Sequence, residues 1–311
     1  MDFKRLSGKH KNNKLYYYAI NYWRYFASLN YSSKNFHKKL ENLSYLDFEN
    51  ILARVNYYHR VDNYFQLSEN SSKLQDIELK KGSKTYFFDL YEYARYFNKN
   101  HQIDYLFGDI KNVPHSPTLV KSRPIIPTNQ NSILLKWNKI RHFTFIKKDS
   151  FSYKEKKNEV VWRGKVHTTQ PQRIKLVKKF FDHSSFNVGK VNPNTLANEW
   201  TKPRMTIEEQ LAYKFILSVE GNDVASNLKW IMSSNSIAVM PTPKYETWFM
   251  EGKLIADYHY IHIKDDYSNL EEKINYYLEH PNQALAIINN ANNYIKEFQN
   301  KDKEDLVSLL V

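Results

Sequence analysis

Short apolar runs alternate with helical spacing in residues 213–248, and this alternation constrains the fold more than any other feature of the chain. Residues 215–219 and 236–240 are apolar runs of strand length, and residues 225–232 between them have the spacing of a helix with one apolar side. Short strands that alternate with helices predict a parallel sheet with helices on its faces. We therefore predict an α/β fold.

Polar residues follow both of these strands. In parallel α/β sheets, ligands bind outside the carboxyl ends of the strands. The turn after the first strand contains Gly221, one of only seven glycines in the chain. We expect the binding site among the polar residues near these strand ends, which are Glu220, Asn222, Ser226, Asn227, Lys229 and Glu246.

The alternation continues through the second half of the chain, whereas the first half is richer in helices. Further strands are predicted at residues 84–89, 104–107, 160–162, 186–188 and 260–263. Helices are predicted at residues 15–29, 33–43, 46–58 (burying Ile51, Leu52 and Val55), 91–97, 132–139, 173–181, 206–213, 268–278, 282–291 and 292–299, and from Tyr245 onward. The helix at residues 206–213 begins with a capping box formed by Thr206 and Glu209.

Chain length and one polar segment indicate two domains. A chain of 311 residues is long enough for two hydrophobic cores. Residues 151–159 are polar and charged, so we divide the chain into domains at residues 1–155 and 156–311. The last helices are expected to pack back onto the first domain.

Charge and cysteine content limit the class of protein. The net charge is +13, and residues 1–60 alone carry a net charge of +7 with interleaved aromatic residues. An anionic membrane surface, a phosphorylated glycolipid or a nucleic acid would suit this charge, and so would a basic surface without a partner. The chain has no cysteine, which excludes disulfides and thiolate metal sites and favours a reducing compartment. Because we find no signal peptide and no membrane span, we expect a cytoplasmic protein.

The loop at residues 162–173, WRGKVHTTQPQR, has the composition of a diphosphate site. Arg163 and Gly164 end a predicted strand, and Arg173 begins the next helix, whose first amides also attract anions. Neither a P-loop nor a dinucleotide-binding glycine motif occurs in the chain. The alternative is structural: Arg163 would pair with a buried carboxylate, and Gly164 would serve only the turn.

Asp109 is the candidate general base. It follows a predicted strand and begins a loop in which four prolines between residues 108 and 127 exclude a regular helix. A carboxylate in such a loop could take the proton of a hydroxyl nucleophile. Alternatively, Asp109 could cap the turn through its own backbone.

Taken together, these motifs resemble glycosyltransferase family 90. The resemblance is carried by VVWRG…QR, by SVEGNDVASNLKWIMSSNSIAVM and by KYETWFMEGKLIADYHYIHIKDDYSNLEEKI, with GDIKNVPHSPTLVKSRPI as a further matching segment. It covers roughly residues 105–298 and is greatest to the bacterial lipopolysaccharide-core branch of the family. It implies a GT-B architecture of two Rossmann-like domains. It also implies inverting transfer from a UDP-sugar without an obligatory metal or other cofactor.

The resemblance also implies roles for individual residues. Asp109 stands where the family has its catalytic base. The donor-binding positions are Trp162, Arg163, Gly164, Arg173, Glu220, Gly221, Asn222, Ser226, Asn227, Lys229 and Glu246. Asn227 replaces a diphosphate-binding arginine of eukaryotic members, so Lys229 or Lys244 would have to supply that charge. Lys121 and Arg123 are predicted to face the acceptor, and Glu246 the ribose or base.

The leading hypothesis is a membrane-peripheral enzyme of the cytoplasm that transfers a hexose to a lipopolysaccharide or lipooligosaccharide inner core. The first domain would bind the acceptor and the second the UDP-sugar, at the inner membrane and without nucleic acid. Transfer to a protein Ser/Thr or to a capsular glycan is the alternative among enzymes. A basic RNA-binding protein and a non-catalytic sugar-nucleotide binder are the alternatives outside enzymes.

Overall fold

The computed structural model describes residues 9–27, 44–61, 64–193 and 196–311. Its helices are α1 Lys14–Phe26, α2 Tyr45–Tyr58, α3 Lys84–Ala94, α4 Lys139–His142, α5 Pro171–Phe180, α6 Ile207–Leu211, α7 Leu228–Met232, α8 Leu270–Glu279, α9 Pro281–Lys296 and α10 Lys301–Leu310. Its strands are β1 Ser72–Lys73, β2 Gln102–Ile103, β3 Tyr105–Leu106, β4 Thr118–Val120, β5 Ser122–Pro124, β6 Ser132–Leu134, β7 Lys157–Gly164, β8 Phe186–Lys190, β9 Tyr213–Leu217, β10 Ile237–Met240, β11 Tyr245–Thr247 and β12 Ile261–His262. The helix predicted at residues 33–43 lies outside the described residues.

The chain forms two compact units. The large-sheet unit comprises Arg141–Pro243, Lys253–Glu297 and the described part of Met1–Asn12. The small-sheet unit comprises Lys244–Gly252, Phe298–Val311 and the described part of Asn13–Ile140. The division of function at residues 155 and 156 stays a prediction.

A five-stranded sheet organises the large-sheet unit. The spatial order is β12-β10-β9-β7-β8, and every neighbouring pair is parallel. If β7, β8, β9, β10 and β12 are renumbered 1 to 5 along the chain, their spatial order is 2-1-3-4-5, which is a doubly wound order. The direction in which strands are added reverses between β7 and β9. β9 and β10 are almost wholly buried, as expected for strands covered on both faces. Their core contacts come from α5, α8 and α9 through Leu176, Val177, Phe180, Leu270, Ile274, Tyr277, Ala284, Ile287 and Ile288.

The small-sheet unit contains shorter sheets. β3, β4 and β6 form a three-stranded parallel sheet, β5 pairs antiparallel with β11, and β1 pairs antiparallel with β2. Tyr86 and Leu90 of α3 pack with Trp137 in the core of this unit.

Much of the predicted pattern is confirmed. The class is mixed α/β with parallel sheets, while the GT-B arrangement stays a prediction. β9 and β10 lie at the two apolar runs from which the fold was inferred. The capping box is present, because Thr206 accepts a hydrogen bond from the Glu209 amide (3.1 Å) and Glu209 accepts one from the Thr206 amide (2.8 Å).

Three predicted elements were wrong. Tyr245–Thr247 is a strand rather than the start of a helix, and Ser132–Leu134 is a strand where a helix was predicted. Lys84–Ala94 is a single helix although its aromatic run favours a strand, because tertiary packing overrides β-propensity. The proline-rich loop does lack helix, but it contains β4 and β5.

Two details of the helices also differ from the predictions. Pro281–Lys296 is one helix instead of two, and the side chain of Asn292 donates to the carbonyl of Ile288 one turn earlier (2.8 Å) without interrupting it. In α2, Leu52 is 39% exposed, whereas Arg54 is only 5% exposed. Arg54 is buried because its guanidinium contacts the carboxylate of Glu304 at 2.5 Å.

Candidate active site

The carboxyl ends of β7 and β9 form the point at which the strand order of the large sheet reverses. Loops on the two sides of such a point turn in opposite directions and leave a crevice where ligands bind. β7 ends at Gly164, and the polar turn at residues 220–223 lies just beyond β9. The predicted donor loop and the predicted polar turn are therefore adjacent.

Arg173, in the first turn of α5, joins these two loops. Its guanidinium donates to the carbonyl of Lys165 after β7 (2.8 Å) and to those of Val219 (2.9 Å) and Glu220 (2.9 Å) after β9. The guanidinium carbon lies 5.7 Å from the centre of the Trp162 ring. Burial lowers the pKa of Arg173 to about 10, against the opposing effect of nearby acidic groups. Three of the five N–H donors of a guanidinium are thus used, which leaves two for a ligand.

The polar turn after β9 is packed closely against α5. A Cβ atom at Gly221 would lie 3.0 Å from Nη2 of Arg173, so a side chain there would require the guanidinium to shift by a few tenths of an ångström. Gln172 donates to the carbonyls of Glu220 (3.0 Å) and Gly221 (2.8 Å). The side chain of Gln170 donates to Asn222 (3.2 Å), which is itself exposed. Sequence reasoning missed both glutamines, although they lie inside the loop quoted for the diphosphate site.

Gly164 also has no room for a side chain. A Cβ atom there would lie 2.8 Å from Cη2 of Trp162. Trp162 itself is only 2% exposed and belongs to the core of the large sheet. The absence of a side chain at Gly164 therefore allows the end of β7 to pass close to the indole ring of Trp162, which also faces the guanidinium of Arg173.

The side chain of Arg163 makes its contacts away from Arg173. Its guanidinium donates to the carbonyl of Pro203 (2.9 Å) and to the carbonyl (2.6 Å) and side chain (2.7 Å) of Asn187 on β8. Adjacent residues of a strand point to opposite faces, so Arg163 lies on the face opposite Trp162. It borders a polar pocket of about 420 Å³ together with Arg204. The acceptors in these contacts are carbonyl and amide oxygens and not the buried carboxylate of the structural alternative, and the donor role of Arg163 stays a prediction.

The remaining predicted residues of this region differ in accessibility. Ser226 is exposed, and Asn227 donates from its side chain to the carbonyl of Leu217 at the end of β9 (2.9 Å). Lys229 is fully buried, with its ammonium 5.6 Å from the centre of the Phe143 ring. Of the two lysines considered as substitutes for the family arginine, only Lys244, in the small-sheet unit, is exposed.

Asp109 lies in the small-sheet unit with its carboxylate open to solvent. Its side chain is 39% exposed, and Lys121, which is buried, places its ammonium 2.5 Å from Oδ1. The loop is held to β5, since the amide of Ile110 donates to Oγ of Ser122 (3.2 Å). The preceding Gly108 has φ +127°, a conformation that side chains rarely adopt. The buried Lys121 thus orients the carboxylate of the candidate base from the interior of the unit.

Arg123 and Glu246 form a buried pair in the same unit. They stand opposite each other on β5 and β11, and Nε of Arg123 donates to Oε1 of Glu246 (2.7 Å). The Tyr57 hydroxyl donates to Oε2 of Glu246, a contact between residues far apart in sequence that no local signal predicts. Both charged side chains are at most 2% exposed, so contact with a ribose or an acceptor would require this network to rearrange. Their ligand roles stay predictions.

The described residues contain no cluster of three or more His, Cys, Asp or Glu side chains that could hold a metal ion. Within the same residues, no helix is long and apolar enough to cross a membrane.

Comparison with known proteins gives two concordant findings. Residues 128–306, more than half of the chain, match Glycosyl transferase family 90. The chain is also 40% identical over 258 residues to "O-glucosyltransferase LpsA" of Dichelobacter nodosus, covering 83% of this chain and 80% of that protein. The matched region contains β7, β9 and the loops joined by Arg173. The chain belongs to glycosyltransferase family 90.

Proposed function

We propose that this glycosyltransferase transfers a hexose from a UDP-sugar to a hydroxyl of a lipopolysaccharide or lipooligosaccharide inner core. The observation that carries the proposal is the position of Arg173 between the carboxyl ends of β7 and β9. A doubly wound sheet binds nucleotides at this point. The relative from Dichelobacter nodosus is named an O-glucosyltransferase, which favours glucose as the hexose.

The donor diphosphate is proposed to lie against Arg173 and the first turn of α5. When the bond between the sugar and the diphosphate breaks, negative charge develops on the leaving UDP. A guanidinium with two N–H groups left over and a helix N-terminus can both stabilise that charge. We propose that these groups take the place of a metal ion.

Asp109 is proposed to be the general base. The acceptor hydroxyl attacks the anomeric carbon, its proton passes to the Asp109 carboxylate, and the bond to UDP breaks on the opposite side. The anomeric configuration is inverted, because a single displacement occurs. The exposure of the carboxylate supports this role, and the contact with Lys121 orients it.

The architecture and location are part of the same proposal. A GT-B arrangement is supported by the parallel sheet in each unit. Phosphates of the acceptor and of an anionic leaflet would be attracted by residues 1–60, whose net charge is +7. We propose a cytoplasmic enzyme that associates with the surface of the inner membrane.

A donor and acceptor screen tests the proposal. The full chain is incubated with individual UDP-hexoses and with core oligosaccharide, a Ser/Thr-containing peptide or capsular glycan, and products are identified by mass spectrometry. We expect a mass increase of one hexose on the core oligosaccharide alone, lost in Asp109→Asn. Transfer to the peptide or the capsular glycan instead would refute the proposal that the inner core is the acceptor. UDP binding without any transfer would indicate a non-catalytic binder.

A further inference from the structure

Helix α1 exposes an apolar stripe on the small-sheet unit. Leu15, Ala19, Trp23 and Phe26 recur at intervals of three and four residues, which places them on one face of the helix. All four are exposed, and the exposed fractions of Leu15, Trp23 and Phe26 are 85%, 57% and 74%. Large apolar side chains that are grouped and exposed in this way mark an interaction surface.

The opposite face of α1 is fixed to α3 by specific contacts. The Tyr17 hydroxyl donates to the carboxylate of Asp89 (2.7 Å), and the rings of Tyr22 and Phe88 meet edge to face at 4.9 Å. The orientation of α1 is therefore set by its tyrosines, and the stripe is held outward.

The charge of α1 indicates what the stripe contacts. The helix contains no Asp or Glu, and its exposed basic residue is Lys14, since Arg24 is paired with Glu92 of α3 (2.7 Å). Residues 1–60 as a whole carry a net charge of +7. Tyr16 beside the stripe is 66% exposed. Tryptophan and other large apolar residues combined with basic residues are typical of helices that lie in the interface of an anionic bilayer.

We propose that the stripe of α1, namely Leu15, Ala19, Trp23 and Phe26, inserts into the surface of an anionic lipid bilayer and docks the enzyme there. From Leu15 to Phe26 the stripe extends about 16 Å along the helix axis, which suits a helix lying parallel to the membrane. The inference rests on the membrane association proposed above. Its test uses no sugar donor, so it can fail while the transfer reaction stands.

The absence of cysteine allows a direct measurement of insertion. An environment-sensitive dye is attached to Ala19→Cys on the stripe, and to Ile255→Cys at a 57% exposed position of the large-sheet unit as the control. Vesicles of phosphatidylcholine with and without phosphatidylglycerol are added to each. We expect a blue shift, and quenching by a bilayer-buried quencher, for Ala19→Cys with the anionic vesicles only. An unchanged Ala19→Cys spectrum would overturn the proposal.

A triple variant tests the energetic contribution of the stripe. Leu15→Ser, Trp23→Ser and Phe26→Ser together should weaken binding to anionic vesicles by about 100-fold or more, since three large apolar groups leave the interface. The matched control changes exposed apolar residues elsewhere: Tyr64→Ser, Ile126→Ser and Ile255→Ser. Thermal unfolding should be similar in both, because all six positions are exposed. Equal loss in the two variants would refute the proposal. A dimer abolished only by the first variant, without vesicle binding, would instead make a second copy the partner.

Discussion

Replacement of Arg173 by alanine is the most informative test of the donor site. The guanidinium has three carbonyl partners and two N–H groups available for a diphosphate. A hydrogen bond to a charged group contributes about 1.5–3 kcal/mol. Arg173→Ala should therefore weaken UDP binding by about 10- to 150-fold.

The same change should also reduce stability, because the carbonyls of Lys165, Val219 and Glu220 lose their donor. Each hydrogen bond contributes about 0.5–1.5 kcal/mol net, and water can partly replace the lost donor at this half-buried position. Arg163→Ala is the matched control. Its guanidinium is also bound to protein acceptors, but on the face of the sheet opposite Trp162.

Calorimetry with UDP and urea unfolding would be measured on both variants. We expect both to be less stable and only Arg173→Ala to lose UDP affinity. Unchanged UDP affinity in Arg173→Ala would refute the proposed donor site. An equal loss in Arg163→Ala would show that Arg163 has the role implied by its family position, and that its contacts with Asn187 do not exclude it.

Three further predictions concern the base, the charge and the response to acid. Asp109→Asn should lower transfer by about 10²–10⁴-fold while UDP affinity persists, because asparagine can cap a turn but cannot accept the proton. Near-normal turnover would leave Asp109 as a turn residue. Binding to anionic vesicles should weaken steeply with salt, since charges are screened over about 8 Å at physiological ionic strength, and salt-independent binding would contradict an electrostatic contribution. Glu92 is largely but not fully buried, which by itself raises its carboxyl pKa, but Lys139 and Arg24 outweigh this effect and lower the pKa from 4.5 to about 2. Its stabilising contribution is therefore present above pH 4.5 and is lost as the pH falls toward about 2. Urea unfolding across this range should show a weaker pH dependence in Glu92→Gln, and identical curves would contradict the assignment.

Several features of the candidate site could be predicted from sequence because they depend on local patterns. The apolar runs at β9 and β10 predicted buried strands. The position of each strand in the chain then identified the loop that follows it at the edge of the sheet. Arg173 was recognised because it begins a helix after a glycine-containing strand end. One available signal was missed. Trp162 and Arg163 are neighbours on a strand, so their side chains had to point to opposite faces.

The sequence by itself determined the α/β class, the parallel sheet around residues 213–248 and membership of the family, because these follow from periodicity and local motifs. Only the tertiary structure decided that the aromatic run of Lys84–Ala94 is helical and that Tyr245–Thr247 is a strand. It also decided that Glu246 is buried between Arg123 and Tyr57. The physical reason is distance along the chain. A local pattern fixes which residues share a face, but which distant residue meets that face depends on how the whole chain packs.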